Sequence, residues 1–172
     1  TYHDAGVPAG VVNLVFGTPA EISSFLVPHP AVRKVTFTGS TAVGKQLAAL
    51  AGTHMKVMTL ELGGHAPVLV FDDCDVEAVA AALCGNKFRN AGQSCINPTR
   101  FLVQAPVYQR FVDTFVAKAR SIKVGDGLDP ASTMGPLANP RRVQAVEALV
   151  ADAIAQGAKL RLGGKRIGSS GN

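Results

Sequence analysis

With 172 residues, 47% of them apolar, 17% charged and none tryptophan, the chain is long enough to bury a sizeable core and too apolar to be disordered. No apolar run approaches the roughly 20 residues that cross a bilayer, and no basic stretch followed by an apolar one opens the chain as a secretion signal would. The net charge of +5 is uneven, −1 over residues 1–95 and +6 over 96–172, yet in that basic half the cations, apart from Arg141-Arg142 and Lys159 to Arg166, stand singly and without interleaved aromatics, which favours a solvated face over a nucleic-acid surface.

Residues 1–6 read as the tail of a helix closed by Gly6. Val11 to Phe16 is a short apolar run expected to form a strand. Thr18-Pro19 supplies the N-cap and first position of a helix over about 20–27. Val32 to Phe37 predicts a second strand, the turn at 38–41 leads into an Ala-rich helix over about 42–51 closed by Gly52, and Lys56 to Glu61 predicts a third strand. Strand, helix and strand across 32–61 form a βαβ pattern, so the sheet is expected to be parallel.

After Gly63-Gly64 the pattern restarts, and that pair is the best domain boundary. Pro67 to Phe71 is a continuous apolar run, suited to a sheet buried on both faces. Asp75 caps a helix over about 76–90. Arg100 to Gln104 predicts a strand and Val107 to Ala119 an amphipathic helix with Phe111, Phe115 and Val116 inward. A long loop at 125–139 precedes a helix opened by Asn139-Pro140 and stopped by Gly157. Lys159 to Leu162 predicts a last strand, followed by a turn at 168–172. Neither end looks like a natural terminus, and the chain is expected to be a piece of a longer protein.

Three segments carry chemistry. Cys95 sits in Asn90-Ala91-Gly92-Gln93-Ser94-Cys95, whose polar, loop-forming neighbours need not bury it, whereas Cys74 and Cys84 fit the plain role of small buried hydrophobes. A thiol held beside loop amides can attack a carbonyl and have the resulting oxyanion stabilised. The cysteines show no CxxC spacing, which excludes zinc ribbons and thioredoxin-type pairs, and their odd number suits free thiols in a reducing compartment. Glu61, in Leu60-Glu61-Leu62-Gly63-Gly64, is a carboxylate in an apolar run: it is either paired, with a lysine such as Lys56, or functional. Gly39-Ser40-Thr41-Ala42-Val43-Gly44-Lys45 is a Gly-bounded turn at a helix N-terminus, a place for a phosphate. It matches the first seven positions of a P-loop, but Gln46 stands where magnesium binding requires Ser or Thr, so an NTPase is disfavoured.

In this order and spacing the three segments resemble the aldehyde dehydrogenase superfamily, whose forms are FTGSTxxG, LELGGK and GQxC. The likeness extends over essentially the whole chain, through Ala5 to Asn13, Phe71-Asp72-Asp73, Thr99-Arg100, Lys123 to Asp126, Gly135-Pro136 and Gly157 to Gly164. It implies an α/β fold with parallel sheets and helices on both faces, and two domains each partly present. Residues 1–62 would end a dinucleotide-binding domain and residues 63–172 begin a catalytic one. It further implies oxidation of an aldehyde to a carboxylic acid with NAD or NADP, with Cys95 the nucleophile and Glu61 the general base.

The same resemblance places the cofactor contacts at Gly39, Ser40, Thr41, Gly44 and Leu62. No metal is implied. Its partner would be a small aldehyde, with succinate semialdehyde one candidate, and neither nucleic acid nor membrane. The full subunit is expected to be cytoplasmic and to form a homodimer or homotetramer. The competing readings are a non-catalytic domain of the same fold and the disfavoured NTPase. Family members run to about three times this length, so an asparagine oxyanion donor and ribose-binding residues would lie outside the chain. Three departures from the family pattern stand out: His65 for the usual lysine, Ala42 for a common glutamate, and Asn97-Pro98 after the cysteine turn where many members have smaller residues.

Overall fold

Two parallel strand pairs organise the chain, one in each of two compact units, Thr1–Gly63 and from Gly64 on. The computed structural model describes residues 1–168. The turn expected at 168–172 lies, beyond Gly168, outside the described residues.

In the first unit α1 (Pro19–Leu26) starts with Pro19 at its first position, where the missing N–H costs nothing. β1 (Lys34–Thr38) and β2 (Val57–Glu61) pair in parallel from Lys34↔Val57 to Thr38↔Glu61, joined by α2 (Thr41–Thr53), which packs on both. This is the βαβ arrangement the periodicity predicts. At the chain's start, Val7 N–H bonds to the Tyr2 carbonyl at 3.0 Å and Gly6 N–H to that of His3 at 3.0 Å, the paired bonds that close a helical turn on a left-handed residue, here Gly6 with φ +76°.

Two expectations fail in this unit. Gly52 does not close α2; it lies inside the helix. The left-handed closing residue is Met55, φ +53°, with Met55 N–H bonded to the Gly52 carbonyl and Lys56 N–H to that of Ala51 at 2.9 Å. Val11 to Phe16 forms no strand: Leu14 is 79% exposed and Phe16 86%. A strand exists only through a ladder partner, and among the described residues none pairs with this run.

In the second unit β3 (Ala66–Val70) pairs in parallel with β4 (Pro98–Val103). α3 (Val76–Phe88) is capped by Asp75, whose carboxylate accepts from Ala78 N–H at 3.1 Å, and α4 (Ala105–Arg120) packs beside it. Val70, Val76, Ala80, Val107 and Phe111 form the core, with Val68, Phe101, Val103 and Phe115 packed against it. Phe101 and Phe115 meet edge-on at 5.4 Å. All these contacts fall on one face of the strand pair. The apolar run of β3 is therefore not covered on both faces by this chain's own helices, and Leu69 on the other face is 61% exposed.

α5 (Pro140–Ala155) opens on Asn139, whose side chain accepts from Arg142 N–H at 3.0 Å, and closes on Gly157 at φ +92°, as its sequence predicts. Arg166 grips Glu147 of α5 with two bonds of 3.0 and 3.1 Å, which raises the guanidinium pKa further. Lys159 to Leu162 does not form the expected strand, again for want of a ladder partner among the described residues.

Candidate active site

The cofactor turn is built by the end of β1. Gly39 N–H donates to the Glu61 carbonyl at 3.0 Å, carrying the ladder one residue past Thr38 before the chain turns. Ser40 then caps α2: its hydroxyl oxygen accepts from Val43 N–H at 3.3 Å, and Gly44 N–H bonds to the Ser40 carbonyl at 2.9 Å. Accepting with a lone pair leaves the Ser40 hydroxyl proton available to a ligand. The amides of Thr41 and Ala42, at the first two helical positions, have no acceptor among the described residues.

Two glycines bring side chains close to the backbone here. A Cβ on Gly39 would strike the Phe37 ring, and one on Gly44 would come within 2.6 Å of Leu62 Cδ2. Gly44 thus lets α2 settle on the Leu62 side chain, and the whole turn stays free of bulk above the helix N-terminus. A hydroxyl donor, two orphan amides and the positive end of a helix dipole fit one phosphate of a dinucleotide. Gly39, Ser40, Thr41, Gly44 and Leu62 are therefore brought together in the first unit.

Glu61 is the last residue of β2, and its side chain is exposed. It makes no ion pair among the described residues. Lys56, the alternative partner, instead donates through Nζ to the His29 carbonyl at 3.0 Å. Pairing therefore does not account for Glu61, whose carboxylate remains open to water.

Cys95 lies in the second unit, on the connection from α3 to β4. α3 runs into a kinked turn (Arg89–Gly92) in which Asn90, Ala91 and Gly92 are all left-handed, with φ of +51°, +55° and +75°. Only Gly adopts that region freely; Asn tolerates it, and for Ala it costs on the order of 1–2 kcal/mol. Such strain persists where the surroundings hold it. Gln93 supplies part of the hold: Nε2 donates to the Asn90 carbonyl at 3.1 Å, and Oε1 accepts from Ala138 N–H at 2.9 Å, tying the turn to the long loop.

Cys95 itself is the second residue of a four-residue turn, Ser94 to Asn97, closed by Asn97 N–H bonding to the Ser94 carbonyl at 3.1 Å. Its thiol is exposed, and its amide donates no hydrogen bond among the described residues. An accessible nucleophile beside an unused N–H is the arrangement that carbonyl addition requires. Asn97, by contrast, is 3% exposed, and its Nδ2 donates to the carbonyls of Lys87 at 3.3 Å and Arg89 at 2.9 Å.

The other two thiols behave as structural residues. Cys84 is buried in α3, which pushes its pKa up despite the nearby Lys118 charge, and Cys74 packs against the core. His65 meets Thr99 at 3.2 Å between Nδ1 and Oγ1. A bulge pairs Ala66 with Pro98 and Pro67 with Arg100, so Thr99 is skipped by the ladder. Sequence reasoning missed the bridging role of Gln93 and the burial of Asn97; the Asn-Pro pair marked a turn but gave no sign that the amide points inward.

A sequence model of the aldehyde dehydrogenase family matches residues 1–172. A rice protein named succinate-semialdehyde dehydrogenase, mitochondrial, is 47% identical over 162 residues, which make up 94% of this chain and 31% of that protein. The 4-(hydroxymethyl)benzenesulfonate dehydrogenase TsaD1 of Comamonas testosteroni is 50% identical over 153 residues, 89% of this chain and 32% of that protein. A crystal structure described as an E. coli NADP dependent enzyme superposes with a TM-score of 0.91 at 44% identity, covering 95% of this chain and 34% of that one. The chain thus spans about a third of the length of these relatives.

Proposed function

The chain belongs to the aldehyde dehydrogenase family, and we propose that it is the central third of a subunit that oxidises an aldehyde carrying an anionic group to the carboxylic acid, with NAD or NADP. The observation that carries this reading is Cys95: an exposed thiol at the corner of a hydrogen-bonded turn, beside an unused amide, in a chain matched along its length by that family.

Residues up to Gly63 end the dinucleotide-binding domain, and those from Gly64 begin the catalytic one. Ser40, with the amides of Thr41 and Ala42, binds a phosphate of the cofactor, while Gly39, Gly44 and Leu62 keep that turn low and packed. When bound, the nicotinamide accepts a hydride.

Cys95, as the thiolate, forms a bond from Sγ to the aldehyde carbon, and the carbonyl π pair moves to oxygen. The Cys95 amide holds that oxyanion. As the oxyanion collapses, the carbon loses its hydrogen with the bonding pair and a thioester remains on Sγ. Glu61 then takes a proton from water, the hydroxide adds to the thioester carbon, and Sγ departs as thiolate. Succinate semialdehyde is the first substrate to try, because the names of two close relatives both specify an acidic substrate, a carboxylate in one and a sulfonate in the other. Three unpaired cysteines suit a reducing compartment such as the cytoplasm, and the working subunit is a homodimer or homotetramer.

The test is the full-length protein with succinate semialdehyde, 4-sulfobenzaldehyde, propanal and benzaldehyde, each with NAD and with NADP, followed by reduced-cofactor absorbance. Turnover of the anionic aldehydes well above their neutral counterparts supports the reading. Equal turnover removes the anionic preference, and none with any aldehyde contradicts the activity.

A further inference from the structure

Among the described residues, Asn97 is the one polar residue that is buried. Its position is notable for what stands next to it. Cys95 is exposed and its thiol makes no hydrogen bond among the described residues, so the direction of Sγ follows the backbone of the Ser94–Asn97 turn. That turn follows three consecutive left-handed residues, a conformation that relaxes unless both of its flanks are held. One flank is held by Gln93, whose bonds are partly open to water. The other is held by Asn97, whose Nδ2 spans the carbonyls of Lys87 and Arg89 and satisfies acceptors at the end of α3 that the helix leaves unpaired. With the residue itself 3% exposed, losing the amide leaves these acceptors without their protein partner and loosens the tie between the turn and α3.

We propose that Asn97 is a positioning residue for the Cys95 nucleophile: its buried amide locks the cysteine turn to the end of α3 and so fixes the direction in which the thiol is presented to substrate. The proposal rests on the reading of Cys95 as nucleophile. Asn97 touches neither substrate nor cofactor; it acts through the turn. A displacement of about 1 Å at a reacting atom costs on the order of 100-fold in rate, whereas a small reagent that approaches from any side needs no such alignment.

The test uses the full-length protein and the variant Asn97→Asp, which keeps the side chain's shape but replaces both donors by acceptors. Two rates are measured on the folded fraction: the first-turnover burst of reduced cofactor, with the aldehyde that the wild type oxidises fastest, and the labelling of Cys95 by iodoacetamide, followed by peptide mass. The burst is expected to fall on the order of 10- to 100-fold while labelling stays within about threefold. A burst within about twofold of wild type overturns the proposal, as do burst and labelling falling together, which would mean a general loss of thiol reactivity and not of placement. Should Asn97→Asp not fold, Asn97→Ser, which keeps one donor, is expected to show an intermediate burst, and a wild-type burst there overturns the proposal equally. Cys95→Ser run alongside separates the two readings: turnover in that variant defeats the nucleophile assignment itself, whatever Asn97 does.

Discussion

The amide of Gly39 donates to the carbonyl of Glu61 at 3.0 Å, one residue past the last Thr38↔Glu61 pair of the β1–β2 ladder. A single hydrogen bond therefore joins the first residue of the phosphate turn to the residue that carries the carboxylate. Both stand at the carboxyl ends of parallel strands, where open α/β sheets bind their ligands. The two are 22 residues apart along the chain, and the strand pair brings them together.

Ser40→Ala removes the α2 cap and the hydroxyl donor at once. The cap is worth about 1 kcal/mol, and the lost donor should raise the cofactor dissociation constant roughly three- to tenfold. Gly44→Ala should weaken cofactor binding as well, because its Cβ would sit 2.6 Å from Leu62 Cδ2 and displace the Leu62 side chain that packs under the turn. Titration calorimetry of the full-length variants checks both; wild-type affinity in Ser40→Ala would remove the turn from cofactor binding.

Met55→Gly should stabilise the protein. Met55 closes α2 in the left-handed region at φ +53° while 91% exposed, so Gly relieves backbone strain and forfeits almost no burial. The gain is about 1 kcal/mol, read in the full-length protein as a rise in melting temperature. A fall in melting temperature would show that the strain is absent.

What could be read in the chain and what could not divides along a physical line. The βαβ unit, the Asp75 and Asn139 caps and the Gly6 and Gly157 closures are legible because their causes are local: a polar side chain at a helix start, a glycine at its end, an apolar period between. The strands expected at 11–16 and 159–162 depend on a neighbour that composition cannot supply. The sequence points to Gly52 as the α2 terminus because a glycine is the usual closing residue, and Met55 in that role leaves no compositional trace. At the candidate site, Cys95, Glu61 and the Ser40 turn stand out by their motifs. The Asn97 clamp does not, since burying its amide requires the end of α3 to fold back over the turn.

Iodoacetamide should label Cys95 well before Cys84. Cys95 is exposed, whereas Cys84 is buried and its thiol pKa is pushed up by desolvation, which keeps it protonated at neutral pH. Peptide mass mapping over a time course reads the order directly. Faster labelling of Cys84 would contradict the burial of that face of α3.

Residues 1–172 expressed alone should self-associate and oxidise no aldehyde. Leu14, Phe16 and Leu128 are 79, 86 and 93% exposed, and both strand pairs keep open edges, which together invite aggregation. The proposed chemistry also needs the asparagine oxyanion donor expected from the rest of the subunit, and losing one such donor costs on the order of 100- to 1000-fold. Light scattering and a reduced-cofactor assay test this. A monodisperse monomer with turnover would show that the activity needs nothing beyond this chain.

The division of labour between Cys95 and Glu61 is tested most directly by Glu61→Gln in the full-length protein. Gln keeps the size of the side chain but cannot take a proton from water, so the first half-reaction should proceed and the second should stall. Mixing with aldehyde and cofactor, quenching in acid and measuring peptide mass should reveal an acyl group bound to Cys95, together with one equivalent of reduced cofactor. Steady wild-type turnover without an adduct, or an acyl group on any residue other than Cys95, would contradict the account.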